Sequence, residues 1–382
     1  MTHTNKIVQE SIPSFDHEHL EGIESEDVMG DDVINHPFDP TLIRVETLSV
    51  TVNLVLSRIQ EGEIDLNPEF QRKAGIWKDG AQSRLIESLL MRIPLPALYM
   101  DGANEDRWVV VDGLQRLTTL KRFVLDKVLR LTELEFLTNL IGYTYDDLPR
   151  HFQRRIQETQ LTIYLISRGT PEDVKFTIFR RINTGGKPLS LQEIRHALNQ
   201  GKSTRLLEEL AQSPEFKAAT AEGIADDRMG DRELVLRFLA FTLRPYHTYV
   251  VQDFDAFLNQ TMQMINGLAD DKIDDLKRQF KRAMRAAYRL FGNDAFRKRY
   301  HERDRRNPIN KSLFESWSVN LNALSDDELE NIIQNKHQVN QKCMELMQDR
   351  AFDAAISQGT GDVAKVQRRF ERVRDLIQEV LL

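Results

Sequence analysis

A chain of 382 residues, 41% hydrophobic and 29% charged, has the balance of a soluble globular protein, and at roughly 100–200 residues per domain it suggests two domains. Its apolar runs, such as Trp108–Val111, are far shorter than the roughly 20 residues of a membrane helix, and its polar, acidic start is unlike a secretory signal, so no membrane partner and a cytoplasmic location are expected. The single cysteine, Cys343, excludes an internal disulfide and a Cys-rich zinc site, while the net charge of −7 is uneven: residues 1–40 hold ten Asp/Glu and one Lys, a net of −9, which leaves +2 for the rest.

In chain order, residues 1–42 read as an acidic, disordered tail, either solubilising or a mimic of nucleic-acid charge that occupies a basic groove of the same chain. A strand is expected over 43–48, then a helix capped by Ser49 that runs to about Gln60 and stops at Gly62. An extended piece, Glu63–Leu66, leads into Asn67-Pro68-Glu69-Phe70-Gln71-Arg72. A helix from about Gln82 to Met91 ends before Pro94 and Pro96. Ala97–Met100 and Trp108–Val111 read as paired strands, Leu114–Phe123 and Asp146–Gln157 as helices, and Leu161–Ile166 as a strand. Thr170-Pro171 starts a helix that runs to about Ile182, and Ser190-Leu191-Gln192-Glu193 has capping-box spacing. Beyond residue 200 strand signals nearly vanish. Helical periodicity is expected over Arg232–Leu243, Asp253–Leu268, Asp271–Phe291, Lys311–Ala323, Asp326–Asp349 and Asp362–Leu382. The fold class is therefore α+β followed by an all-helical region, with units at 1–42, 43–200 and 201–382. The apolar positions of the last helix suit internal packing or a dimer, and internal packing is the simpler expectation.

The most informative stretch is Trp108–Leu120: an apolar strand, a turn at Asp112-Gly113, and a helix. A helix N-terminus presents unpaired N–H groups and partial positive charge, which suits a phosphate. Gly113 permits close approach of a ligand, Gln115 can donate and accept, and Arg116 offers a planar fork. Asp112 could hold Arg116, a ribose hydroxyl or Mg²⁺. The alternative is an ordinary strand-to-helix connection. Gln71-Arg72 repeats the amide–guanidinium pairing, Arg84 and Glu87 are spaced to pair, and Asn183-Thr184-Gly185-Gly186-Lys187 adds a polar loop with a cation.

Together these segments resemble a known family. Asn67–Arg72 with Trp77, Ser83–Ser88 with Ile93–Pro96, Val111–Thr119, and Arg181–Ser190 with Glu193-Ile194-Arg195 follow the order of the N-terminal domain of GmrSD-type modification-dependent restriction systems, similar to the ParB/sulfiredoxin-like superfamily. The resemblance extends over about 43–245, since Arg228-Met229, Glu233 and Arg237 fit its later part. It implies a nucleotide-binding α+β domain whose relatives bind or hydrolyse nucleoside triphosphates and couple this to restriction of foreign DNA. Carried over, Asp112, Gly113, Gln115 and Arg116 fall on the Asp-Gly-x-Gln-Arg motif, Gln71 and Arg72 on the upstream pair, and Asn183 and Gly185, with Lys187 beside them, on the Asn-Thr-Gly loop. Leu114 stands where many members have Gln, and the sulfiredoxin cysteine is absent. The His-based nuclease domain that two-part restriction enzymes add is not recognisable, which argues against nuclease activity within this chain and leaves open whether a separate nuclease subunit exists.

Lys277–Arg306 holds twelve Lys/Arg against three acidic residues, and Arg278, Arg282, Arg285 and Arg289 share one helix face. That face could follow DNA phosphates, or be solvated and paired with carboxylates. The resulting expectation is a protein that binds a nucleoside triphosphate with Mg²⁺ and hydrolyses it in a defence system. Gly113 and the following helix would hold phosphates, Arg116 and Arg72 would neutralise charge, Gln115 or Gln71 would orient water, and Asp112 would hold metal or an Arg. The alternatives are a nucleotide-switched DNA- or partner-binding module without hydrolysis, and a DNA nickase with an unrecognised site. Oligomeric state is open.

Overall fold

The computed structural model describes residues 22–24, 43–66, 77–182, 189–224, 228–250 and 253–382. Five strands form one mixed sheet: β1 (Val45–Thr51), β2 (Ile64–Asp65), β3 (Leu98–Gly102), β4 (Trp108–Asp112) and β5 (Gln160–Ser167), in the order β1-β5-β3-β4-β2. Pairing is antiparallel for β1–β5 and β3–β4 and parallel for β3–β5 and β2–β4. The chain stays extended beyond Ser49 because residues 45–51 pair in register with 160–166. The cap of α1 (Val52–Gln60) is therefore Thr51, whose hydroxyl accepts from Leu54 N–H at 3.2 Å, and not Ser49.

Alternation along the strands divides the sheet's two faces. Leu98, Met100, Val110, Ile163 and Leu165 join the core formed with α1, α2 (Asp79–Leu90), α3 (Leu114–Leu120) and α4 (Arg150–Glu158). Val111 and Ile166 pack on the other face with Phe176 and Phe179 of α5 (Glu172–Ile182) and Ile194 of α6 (Leu191–Leu198). Helix α4 starts at Arg150 rather than near Asp146. Pro149 disfavours helix for the residue before it, and Asp147 instead closes a turn onto Thr144 N–H at 2.8 Å. Ser190 caps α6 in the capping box that its sequence implies. Thr170 does not act as read from sequence: its hydroxyl accepts from Arg44 N–H at 3.2 Å and ties the start of α5 to the approach to β1.

The rest is helical: α7 (Lys202–Ala211), α8 (Pro214–Thr220), α9 (Gly230–Leu243), α10 (Phe254–Asn266), α11 (Asp270–Phe291), α12 (Lys311–Ala323), α13 (Asp326–Gln334), α14 (Lys336–Met347), α15 (Arg350–Ser357) and α16 (Val363–Leu381). The periodicity over 326–349 is interrupted at Asn335, so one expected helix becomes two. Helix α9 is buried nearly all round, with Asp231, Arg232 and Arg237 enclosed beside its apolar residues. Helix α16 packs internally through Val366, Phe370, Val373 and Ile377. No helix among the described residues is long and apolar enough to cross a membrane.

The two regions meet through a partly buried ion-pair cluster and one apolar insertion. Asp255 of α10 pairs with Arg195 of α6 and, at 3.2 Å, with Arg180 of α5. Met229, just before α9, inserts into the core of the sheet region.

Candidate functional site

At the end of β4 the register against β3 shifts: Met100 faces Val110, but Tyr99 faces Asp112. The bulge accommodates one extra residue and turns Asp112 toward the same row as Tyr99 and Tyr164. The chain then reverses at Gly113, whose φ of 101° lies in the left-handed region, and α3 begins at Leu114. A Cβ on Gly113 would lie 2.1 Å from a Leu98 methyl and 3.3 Å from the Arg116 guanidinium, so glycine is required for space as well as for conformation.

Arg116 folds back over this turn. One nitrogen donates to Asp112 Oδ2 at 2.7 Å, and another donates to the carbonyl of Ala97 at 3.2 Å and to that of Pro96. The side chain is almost wholly buried. Burial raises the Asp112 carboxyl above its ordinary range, offset by the Arg116 charge and by a hydrogen bond from Gly113 N–H. Burial likewise lowers Arg116, offset by Asp112. The ion pair thus joins the end of β4, the first turn of α3 and the segment before β3. Gln115 Oε1 accepts from Trp77 N–H at 3.1 Å, which links the turn to the entry of α2.

Tyr99 and Tyr164 lie beside this assembly, with ring centroids 5.0 Å apart and planes 27° from parallel. Burial, Tyr164 and the Asp112 charge raise the Tyr99 hydroxyl pKa. Both rings are half-buried. Nothing in the local sequence marks them: Tyr164 is 65 residues from Tyr99 in the chain and meets it only through the β3–β5 register.

The structure thus brings Asp112, Gly113, Gln115 and Arg116 together. Gln71, Arg72, Asn183, Gly185 and Lys187 lie outside the described residues. The expected Arg84–Glu87 pairing is replaced by two separate roles. Arg84 pairs with Glu133 at 3.4 Å, and Glu87 accepts the N–H groups of Glu135, Phe136 and Leu137 at 3.0, 2.7 and 2.7 Å.

No group of three or more His, Cys, Asp or Glu able to hold a metal occurs among the described residues. At the turn the donor set is a single carboxylate already bonded to a guanidinium, which does not make an independent Mg²⁺ site.

The four arginines of α11 are engaged with carboxylates. Arg278 pairs with Asp275 at 3.0 Å, Arg282 with Asp326 at 2.7 Å, Arg285 with Glu215 at 2.9 Å and Arg289 with Glu330 at 2.9 Å. Arg282 also donates to the carbonyls of Asn322 and Leu324. This face links α11 to α8 and α13.

Residues 52–199 match the family model of the GmrSD restriction endonuclease N-terminal domain. The match begins at α1, ends just after α6 and contains the Asp112–Arg116 turn. No curated protein sequence matches the chain significantly. From α1 to α6 the chain is thus similar to the N-terminal domain of GmrSD restriction endonucleases.

Proposed function

We propose that this GmrSD-type domain binds a nucleoside triphosphate at the Asp112–Arg116 turn, and that the protein is the nucleotide-dependent component of a system restricting foreign DNA, working with a nuclease on a separate subunit. The observation that carries the reading is the left-handed Gly113 turn, which opens α3 without a side chain between its first N–H groups and a ligand. The N–H groups of the first turn receive phosphate oxygens. The Asp112–Arg116 pair fixes the turn and keeps a guanidinium beside Gly113. Tyr99 and Tyr164 supply an aromatic surface for the base. Gln71, Arg72, Asn183, Gly185 and Lys187 keep the binding roles that the resemblance implies. Magnesium enters this reading as the ion a triphosphate carries with it, not as a resident of the chain.

For hydrolysis, Gln115 would orient water and Arg116 would stabilise developing charge. One observation favours the second reading, in which nucleotide acts only as a switch: Asp112, Gln115 and Arg116 are all bonded within the protein. Thermal unfolding with ATP, GTP, CTP, UTP and inorganic tripolyphosphate tests binding, because saturation at 100 times Kd stabilises the fold by about 2.7 kcal/mol. A base-dependent shift that Tyr164→Ala abolishes, with the tripolyphosphate shift retained, is expected. No shift with any of the five contradicts the reading. Phosphate release, with and without DNA, separates hydrolysis from switching. A supercoiled-plasmid assay with Mg²⁺ tests the nickase alternative.

A further inference from the structure

The segment that joins α11 to α12 contains a loop whose backbone is held by its own side chains. Asp304 accepts the N–H groups of Tyr300 and His301 at 2.7 and 2.8 Å, and Arg299 donates to the Glu302 carbonyl at 3.1 Å. Asn307 Nδ2 donates to the Lys298 carbonyl at 2.7 Å, and the buried Arg297 donates to the carbonyls of Asn307 and Thr220 at 2.5 and 3.0 Å. The Tyr300 hydroxyl donates to Asp353 of α15 at 3.1 Å. A loop braced in this way presents its exposed side chains to a ligand at little further cost in ordering.

Residues 297–306 contain six Lys/Arg against two acidic residues. Asp304 is spent on the loop's own N–H groups, Lys298 pairs with Glu24 at 2.6 Å, and Arg299 pairs with Asp294 at 3.1 Å. Arg303 and Arg305 are exposed and make no ion pair among the described residues. The same holds for Arg350, which opens α15 one turn before Asp353, although a cation at a helix N-terminus opposes the macrodipole.

An open cleft of about 440 Å³ separates this loop from α14. His301, Glu302 and Arg303 line it on the loop side, and Gln341, Glu345 and Gln348 on the other. Tyr300 and Met344 add apolar surface that suits a ring. The two carboxylates repel a phosphate inside the cleft, while the arginines attract one outside it. A nucleic-acid strand satisfies both conditions when its phosphates run over the arginines and an uncharged base enters the cleft. The carboxylates accept from base amino groups, and the amides both donate and accept. In a duplex those base edges are paired and stacked, so the strand that fits is an unpaired one.

We propose that loop 297–306 and the cleft beside it form a binding site for single-stranded DNA, with Arg303, Arg305 and Arg350 on phosphates and one base between Gln341, Gln348 and the loop. The choice of DNA rests on the restriction reading. The site does not depend on nucleotide binding at Gly113, so a failed thermal shift there leaves its test intact.

The test uses the full chain and labelled 20-mers: a mixed-sequence deoxy strand, the same strand in a duplex, and an abasic strand that keeps only the sugar-phosphate backbone. The mixed strand is expected to bind at least fivefold more tightly than either of the others at low salt. Arg303→Ala/Arg305→Ala is expected to weaken it about tenfold and to make the salt slope shallower by about 1.4, the share of two phosphate contacts on a single strand. Gln341→Leu/Gln348→Leu is expected to bring the mixed strand to the affinity of the abasic one with the slope unchanged. All four of these side chains are exposed, so the fold should be retained. A duplex or abasic strand bound as tightly as the mixed strand overturns the proposal. So does an arginine pair whose loss changes neither affinity nor slope, a base preference that survives the loss of both amides, or displacement of the strand by an equal concentration of ATP.

Discussion

Gly113 and Arg116 show how much one turn depends on single side chains. Gly113→Ala has to place a methyl in the left-handed region, which costs about 1–2 kcal/mol, and against Leu98 as well. We expect a lower urea midpoint together with loss of any nucleotide-induced stabilisation. Arg116→Ala would leave Asp112 and two backbone carbonyls without their donor, so a loss of about 1–3 kcal/mol is expected in the same measurement. Arg116→Lys should recover little of it, since an ammonium cannot span the carboxylate and both carbonyls as a planar fork does. At this scale the sequence was a good guide. A glycine after an apolar strand, followed by Gln and Arg, identified the turn. It could not indicate that Arg116 faces inward, because its acceptors Pro96 and Ala97 lie across the strand pair.

At the scale of elements, Glu87 organises a loop that has little regular structure of its own. Its carboxylate takes three consecutive backbone N–H groups, and these bonds, with the Arg84 charge, hold its pKa below the ordinary range although burial opposes this. Glu87→Ala should accelerate exchange of the amides of residues 135–137 while leaving β5 protected, and uniform exchange across the domain would contradict this role. Helix boundaries were legible where a cap decided them. Ser190 with Glu193 gave the start of α6, and Lys311–Ala323 matches α12 end to end. They were not legible where pairing overrode a cap, as at Ser49, or where Asn335 divided a continuous apolar pattern. The basic face of α11 illustrates the same limit. Its partners Glu215, Asp326 and Glu330 lie 41–70 residues away in sequence and become visible only when α8 and α13 pack beside it.

For the whole molecule, the helical region encloses a charge network. Glu315 accepts from Arg237 at 3.3 Å and from Arg369 Nε at 2.7 Å, while Glu233 pairs with Arg237 at 2.9 Å and with Lys311 at 3.0 Å. Glu315 and Arg369 are fully buried. Glu315→Gln leaves buried guanidinium charge uncompensated and is expected to cost about 3–5 kcal/mol in denaturant unfolding. Burial works against ionisation of Glu233, but Lys311, Arg237 and Arg195 together hold its pKa well below the usual carboxylate range. A depressed carboxyl stabilises the fold at pH values above its unfolded pKa of about 4.3, and that contribution is lost as pH falls through the lower folded value. Stability should therefore drop steeply below about pH 4. Glu233→Gln should be less stable at pH 7 and show a shallower acid decline. An acid profile unchanged by the substitution would remove Glu233 from this account.

The central claim, a nucleotide on the turn between β4 and α3, is tested most directly by hydrogen exchange over residues 110–118 with and without each of the four nucleoside triphosphates. The account predicts slower exchange of the amides of Leu114, Gln115 and Arg116 with at least one nucleotide, and no such change in Gly113→Ala. Unaltered exchange at these three amides under saturating nucleotide, or protection confined to another part of the chain, would contradict it.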